Sequence, residues 1–255
     1  MKSFACILFS FAYMFITGCN NCQFVVDDFQ PAVEQVLASR AHRPVVIDGV
    51  LDDEVWSRAK VYNFAVSADR VESRPLVEGA CFQVAWDDDY LYLGAKLLDS
   101  DIIAQADQDQ MHHYRFGDVC ELFIKPDNAT HYWELYVTPK GNKSVFFLPS
   151  RGWRNLPGAM NDEGFDLTIG AHIAGTLNDY SDRDDYWSAE MAIPIKALND
   201  KGVELTPDQT WRILVARYNF SAYLTCMGPE HSGFPQLSAT NFHLLEEYAE
   251  LKLVE

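Results

Sequence analysis

Basic residues, cysteine pairs with metal-site spacing and long apolar runs are all scarce in this sequence. It contains 20 Lys and Arg residues against 37 Asp and Glu residues, which gives a net charge of −17 at pH 7. A protein that tracks phosphates needs a basic stripe, so this composition argues against nucleic-acid binding. The six cysteines show no zinc-site spacing. The acidity is compatible with solubility outside the cytoplasm and with divalent cations.

The longest apolar run stands at the start of the chain. Residues 4–16 (FACILFSFAYMFI) follow a basic Met1-Lys2 and are too few to span a bilayer comfortably, which favours the core of a signal peptide. The run ends in Ile-Thr-Gly-Cys at 16–19, a pattern that resembles a bacterial lipobox and predicts Cys19 as the lipidated first mature residue. Two acyl chains at Cys19 give stable anchoring, and the expected location is the cell envelope, with the anchor in the outer membrane. An ordinary secretory signal with an incidental cysteine is the alternative.

The rest of the chain divides into a tether and one domain. Residues 1–18 are predicted as the signal peptide, 19–44 as a tether with a short helix after Pro31, and 45–255 as a single domain. Four cysteines remain outside the signal and the lipid site, and the sequence assigns no disulfide among them: Cys22, Cys81, Cys120 and Cys226.

Strand signals follow one another through the predicted domain. Runs rich in β-branched and aromatic residues, bounded by Gly, Pro, Asn and Asp, lie at 61–66, 80–86, 90–98, 119–125, 131–138, 143–148, 166–175, 186–194, 211–220 and 248–254. No long helix alternates with these runs, which disfavours a parallel βαβ sheet. The pattern predicts an all-β fold, an antiparallel β-sandwich with a few short helices.

The stretch VIDGVLDDEVWSRA (46–59) combines a turn, a short helix and a large aromatic residue. Ile47 is predicted to end an edge strand, Asp48-Gly49 to turn the chain, and Asp52 or Asp53 to cap the helix. Trp56 is predicted to fill one end of the sandwich, because such a side chain buries a large area.

Several phrases of the sequence occur together in a known family. They are IDGVLDDEVWSRA, WDDDYLYLGAKLLDSDI, GDVCELFIKP, HYWELYVTPKG, WSAEMAIPIKAL and NFHLLEEYAELKL, in that family's order. In these phrases the sequence resembles the family 9 carbohydrate-binding modules and their CBM9-like relatives. The resemblance implies an immunoglobulin-like or jelly-roll β-sandwich that binds sugars between two aromatic side chains and carries structural calcium. It also implies polysaccharide-degrading enzymes as partners, because members are usually attached to such enzymes.

The resemblance further implies where the sugar binds. One aromatic precedes the strand that opens with Asp-x-x-Glu, and here the preceding segment offers Tyr114, Arg115 and Phe116. Glu121 matches an acid that accepts hydrogen bonds from sugar hydroxyls. The second aromatic comes from the loop before the last strand, where the aromatic residues are Phe234 and Phe242. The expected tryptophan stands at neither position, and smaller rings offer a weaker stacking platform.

The loop SRGWRNLPG (150–158) supplies a second candidate. Trp153 lies close to Arg151 there, and an aromatic ring beside a guanidinium can form a platform for a sugar ring or a uronate. A tryptophan folded onto the edge of the sandwich is the equally weighted alternative.

The acidic residues are candidates for calcium binding and, less well, for catalysis. Asp99 and Asp101 are predicted as calcium ligands, mainly from the resemblance, because EF-hand spacing is absent. Asp118 and Glu121 stand at i and i+3 of a predicted strand, so their side chains point to opposite faces. Glycosidase carboxylates must face one another across the scissile bond, so no catalytic residue is predicted.

Together these patterns predict non-catalytic binding of an oligo- or polysaccharide, in support of polysaccharide catabolism. The mechanism is ring stacking with hydrogen bonds from Arg and Glu side chains. Three alternatives stay open: a glycoside hydrolase that cleaves O-glycosyl bonds or an accessory component of one, a haem-binding sandwich with Met and His ligands, and a purely structural surface protein.

Overall fold

Helices make up only a small part of the protein. The structure, a computed structural model, describes residues 34–153, 155–160, 164–225 and 228–255. Its described α-helices are α1 (Leu156–Ala159) and α2 (Ile195–Asn199), and 3-10 helices span Glu54–Ser57, His113–Arg115 and Leu245–Glu247. Within the described residues, no helix has the length and apolar character needed to cross a bilayer. The predicted signal peptide and Cys19 lie outside the described residues.

The described part of the chain contains twelve β-strands. They are β1 (Gln35–Arg40), β2 (Tyr62–Asn63), β3 (Ala80–Trp86), β4 (Tyr90–Leu98), β5 (Val119–Pro126), β6 (Tyr132–Val137), β7 (Lys143–Leu148), β8 (Thr168–Ala174), β9 (Tyr186–Pro194), β10 (Trp211–Asn219), β11 (Glu230–Phe234) and β12 (Ala249–Val254). Strands β3, β4, β7 and β9 begin and end at the residues predicted from the sequence. Strand β11 was not predicted, because EHSGF carries little β-branched or aromatic signal.

One hydrogen-bonded sheet joins these strands and folds over to enclose a core. Its order is β7-β6-β5-β10-β12-β1-β3-β4-β9-β8, with β11 beside β10 and β2 beside β3. Both halves contribute large buried side chains to the same core, Trp133 and Trp211 from one half and Phe82 and Trp187 from the other. The prediction of an all-β sandwich is therefore confirmed.

The domain begins earlier than the sequence predicts. Strand β1 lies within the stretch predicted as a tether, and the helix predicted after Pro31 is wrong for residues 35–40. Strand β1 runs parallel to both β12 and β3, a local departure from the predicted antiparallel pairing. Val36 and Ala38 are fully buried in this position. The phrase PAVEQVLAS fits helical and strand periods alike, so the slot between β12 and β3 decides its structure.

A single buried carboxylate ties the stretch 46–59 to strand β9. Glu190 Oε1 accepts a hydrogen bond from Trp56 Nε1 (2.8 Å), and Glu190 Oε2 accepts one from Gly49 N (2.9 Å). Gly49 has φ +87°, and a Cβ there would come within 2.4 Å of the β8 backbone, so a side chain does not fit. Burial of Trp56 confirms its predicted core role. Asp53 occupies the predicted N-cap position, although its side chain makes no cap hydrogen bond. Residues 45–47 form no strand, so the predicted edge strand that ends at Ile47 is wrong.

Candidate ligand-binding cleft

A cleft of about 610 Å³ lies on the outer face of strands β5, β6 and β10. Loops before β5, after β7 and before β12 form its rim. We call it the β5–β6 cleft and define it by its lining residues: His112, Tyr114, Glu121, Phe123, Tyr132, Glu134, Tyr136, Phe146, Leu148, Arg151, Gly152, Trp153, Tyr218, His231, Thr240, Asn241, Phe242 and His243. This volume is within the usual range for small-molecule sites.

Strand alternation decides which side chains form the floor of the cleft. In β5, Cys120 and Leu122 face the core, so Glu121 points to the outer face. Antiparallel pairing places Glu121 opposite Tyr136 of β6. Glu134 lies two residues before Tyr136 and therefore on the same outer face of that strand. The floor therefore brings two glutamates onto adjacent strands at diagonal positions.

Both floor glutamates are buried, and Glu121 lacks a full set of partners in the described structure. Tyr136 donates its hydroxyl hydrogen bond to Glu134 Oε2 (3.0 Å). Glu121 is 1% exposed, and its Oε1 has no hydrogen-bond partner in the described structure. Burial raises the pKa of Glu134 to about 7. Burial, with the nearby Glu134 charge, raises the pKa of Glu121 well above its usual value. The floor thus offers oxygen atoms ready to meet hydrogen-bond donors of a ligand.

Aromatic rings surround this acidic floor. The Tyr218 ring lies 5.3 Å from that of Tyr114 and 5.6 Å from that of Phe242. On the other side, the Phe146 ring lies 5.0 Å from that of Tyr136 and stacks on His112 at 5.5 Å. Such contacts hold the rings in place along the lining of the cleft.

His243 connects the closing loop to the floor. Its Nδ1 lies 3.0 Å from the Tyr132 hydroxyl and 3.4 Å from Glu134 Oε1. The contact with Tyr132 lets His243 orient this loop through a hydrogen bond. Burial lowers the pKa of His243, so the ring is neutral near pH 7.

The rim contains the predicted aromatic and guanidinium pair. Arg151 Nη1 donates to both carboxylate oxygens of Glu246, each at 2.7 Å. Trp153 is 41% exposed, and its indole Nε1 donates to the Asn155 carbonyl (3.1 Å). The rim therefore places an exposed ring beside the cleft, with Arg151 already held by an acid.

Five of the predicted ligand-binding residues line the β5–β6 cleft. They are Tyr114, Glu121, Arg151, Trp153 and Phe242. The structure brings these five side chains together from four separate parts of the chain.

The other three predicted residues lie elsewhere. Arg115 places its guanidinium 5.5 Å from the Tyr114 ring, outside the lining set. Phe116 is 39% exposed and is also outside that set. Phe234 packs in the core, where its ring lies 5.0 Å from that of Tyr62. Phe234 faces inward because β11 pairs with β10 at the edge of the core.

Three floor residues of strand β6 were not predicted from the sequence. Tyr132, Glu134 and Tyr136 alternate with Trp133 and Leu135 in HYWELYVT. The period of two in this phrase is a usable signal, since it puts both tyrosines and the glutamate on one face. What the phrase does not reveal is which face is the core and which strand is the neighbour.

Of the two residues predicted to bind calcium, Asp99 pairs with an arginine and Asp101 accepts a hydrogen bond from a backbone amide. Arg217 is fully buried, and its Nη2 lies 2.9 Å from Asp99 Oδ2. Asp101 Oδ2 accepts a hydrogen bond from Ala222 N (2.7 Å). Across the described residues, no cluster of three or more His, Cys, Asp or Glu side chains has the spacing to hold a metal ion. These carboxylates as arranged do not fit a calcium site, and calcium stays a prediction from the sequence.

The cysteines that the structure describes are unpaired. Cys81 is half-buried and Cys120 is buried, and both are free thiols. Burial raises the pKa of Cys120 to about 12, so this thiol is unreactive at neutral pH. Cys22 and Cys226 lie outside the described residues.

Comparison with known proteins identifies the family. Residues 47–210 match the family model described as "Carbohydrate family 9 binding domain-like". A Bacteroides uniformis ATCC 8492 protein whose name suggests carbohydrate binding has a TM-score of 0.69 at 13% identity, covering 88% of this chain and 100% of that one. A family 9 carbohydrate-binding module from Caldicellulosiruptor kristjanssonii is also similar. Its cellotriose complex has a TM-score of 0.55 at 14% identity, covering 86% of this chain and 93% of that one. Its glucose complex has a TM-score of 0.56 at 15% identity, covering 87% and 96%.

These likenesses to solved structures support the fold. No match was found among the curated proteins. Because the family model matches more than half of the sequence, this chain belongs to the carbohydrate family 9 binding domain-like family.

Proposed function

We propose that this protein binds carbohydrate, without catalysis, in the β5–β6 cleft. The observation that carries the proposal is one cleft in which aromatic faces surround two buried glutamates. Family membership and the sugars named in the similar C. kristjanssonii complexes, cellotriose and glucose, support the same assignment.

The chemistry of a sugar matches the cleft in two ways. A pyranose ring has an apolar C–H surface, which packs on the rings of Tyr218, Phe242 and Trp153. Its hydroxyls donate hydrogen bonds to Glu121 and Glu134, and such bonds are stronger when the acceptor is ionised. Binding by these contacts needs no bond to break.

Hydrolysis is the second candidate, because two carboxyl groups with raised pKa values face one cleft. Glu121 and Glu134 rise from the same floor on adjacent strands. Glycosidase carboxylates stand on either side of the scissile bond, so the shared floor favours binding over hydrolysis.

The setting proposed for this binding is the bacterial cell envelope. A lipid anchor at Cys19 would hold the domain at the membrane, where captured oligo- or polysaccharide is passed to polysaccharide-degrading enzymes. The lipobox-like pattern at 16–19 supports the anchor, and the family supports the role in polysaccharide catabolism.

A glycan-array screen of the purified protein tests the binding function. Trp153→Ala and Glu121→Gln should each weaken the binding signal, because each removes a contact inside the cleft. Tyr180→Ala is the matched control, since Tyr180 is 74% exposed and does not line the cleft. Binding to no glycan would contradict the proposal, and sugar release from a bound glycan would favour the hydrolase.

A further inference from the structure

Within the described part of the chain, the acidic side chains in the β5–β6 cleft have no Lys or Arg side chain to pair with them. Among its described lining residues, Arg151 is the one Lys or Arg side chain, and Glu246 already holds it at the rim. The floor carries Glu121 and Glu134, both buried. A buried carboxylate without a cationic partner is costly, so burial favours the protonated form of each acid in the absence of a ligand.

The other titratable groups facing the two glutamates supply no positive charge. They are Tyr132 and Tyr136 of β6, Tyr218 of β10, His231 of β11, His112 and Tyr114 before β5, and His243 before β12. Burial lowers the pKa of His112, His231 and His243, so these rings are neutral near pH 7. The tyrosines are neutral there as well.

The floor and walls together are suited to a positively charged ligand group. Glu121 lines the cleft, and its buried Oε1 has no hydrogen-bond partner in the described structure. Aromatic faces attract cations through their ring quadrupole, and this attraction grows when the cation is shielded from water. An ammonium group would therefore gain from the acids and from the rings at once.

We propose that the cleft selects sugars that carry a free ammonium group, in preference to neutral or N-acetylated sugars of the same shape. This inference rests on the proposed function, because it names the class of sugar bound in the same cleft. The ammonium supplies the positive charge that the floor lacks and donates hydrogen bonds to Glu121 and Glu134. An acetamide at the same position is uncharged and bulkier, and a hydroxyl is uncharged.

Binding an ammonium group has a proton signature. The ligand charge favours ionised glutamates, so protons leave the floor when an amino sugar binds near pH 6. Affinity for the amino sugar should rise as the pH rises from about 5 to about 7, as long as the ligand amine keeps its proton. A neutral sugar releases fewer protons, because it brings no charge to the floor.

Isothermal titration calorimetry of the full-length protein tests the inference with three β-1,4-linked trisaccharides that differ at C2. One has glucose units, one N-acetylglucosamine units and one glucosamine units with free amines. We expect the glucosamine trisaccharide to bind about tenfold tighter than the glucose trisaccharide, which corresponds to about 1.4 kcal/mol. Titrations at pH 6 in two buffers of different ionisation heat should show more protons released with the glucosamine trisaccharide than with the glucose trisaccharide.

Isosteric variants locate the source of the preference. Glu121→Gln and Glu134→Gln should each bring the affinity ratio of the two trisaccharides toward one, with glucose binding reduced less. Asp88→Asn is the matched control, because it removes one negative charge from a side chain that is 82% exposed and outside the cleft. Thermal unfolding of each variant checks that the fold is intact.

The possible outcomes separate the two proposals. Equal affinity for glucose and glucosamine trisaccharides, or a preference for the N-acetylated one, overturns the amino-sugar inference and leaves carbohydrate binding standing. A preference that persists in both Glu→Gln variants, or that is lost in Asp88→Asn, also overturns it, since the general acidity of the chain then explains the result. Binding of no trisaccharide and no arrayed glycan overturns both proposals.

Discussion

Replacing the buried Arg217 with methionine should strongly destabilise the domain. The Arg217 side chain is fully buried, and its Nη2 donates to Asp99 (2.9 Å) and to Asn219 Oδ1 (2.8 Å). Its Nη1 donates to the Leu98 carbonyl (2.7 Å). Methionine keeps much of the volume and removes the charge, so these three acceptors lose their donor.

The magnitude follows from the burial of the pair. Removing one partner of a buried ion pair costs about 3–5 kcal/mol, because the other charge is left without compensation. For a domain of this size that corresponds to a fall in Tm on the order of 10 °C. A second buried acid, Asp118, adds to the effect, since the Arg217 charge also lowers the pKa of that carboxyl.

The destabilisation should depend on pH in a defined direction. Burial raises the pKa of Asp99 to about 6 in spite of Arg217, whereas the unfolded value is about 3.9. A raised acid pKa means that ionisation lowers stability as the pH rises from about 4 to about 6. Without Arg217 the pKa of Asp99 rises further, so the variant continues to lose stability above pH 6. The difference in free energy of unfolding between the parent protein and Arg217→Met is therefore larger at pH 8 than at pH 5.

Urea unfolding followed by tryptophan fluorescence at both pH values measures this difference. Asp99→Asn in the Arg217→Met background should recover part of the loss, because the unpaired carboxylate is removed. A cost below about 1 kcal/mol at pH 8, or a cost independent of pH, would refute the reasoning from a buried pair.

Four further predictions concern other parts of the molecule. Trp56→Phe should cost about 2 kcal/mol in urea unfolding, because Glu190 loses a 2.8 Å donor to a buried carboxylate; an unchanged midpoint would contradict this. Tyr136→Phe should lower the Tm, because the buried Glu134 loses its 3.0 Å donor, and should weaken carbohydrate binding at pH 7 several-fold in calorimetry, since that donor lowers the pKa of Glu134; unchanged affinity would argue against a role for this contact. EDTA should lower the Tm if the calcium predicted from the sequence is structural, and an equal Tm with and without EDTA would remove that prediction. The intact mass of membrane-purified protein should show acylated Cys19 as the first residue, and an unmodified N-terminus would contradict the anchor.

The sequence by itself determined most of the strands. Alternating β-branched and aromatic residues gave β4 (YLYLGAKLL) and β9 (YWSAEMAIP) to the residue, because period-two burial is a local property of the chain. Glu121 was also within reach of sequence reasoning, since the phrase that contains it resembles the family. Strand β1 was not, because its helix-compatible residues become a strand only between β12 and β3.

Tertiary structure determined which residues form the cleft. Glu134 joins Glu121 on the floor only because β5 and β6 pair in one register, and a shift of one residue would send it to the core. Asp99 was predicted as a calcium ligand, yet the fold places the buried Arg217 beside it from a position 118 residues away. Local sequence patterns indicate which face of a strand is apolar. The partner of a polar side chain depends instead on how distant segments pack together, and that packing sets the chemistry of this protein.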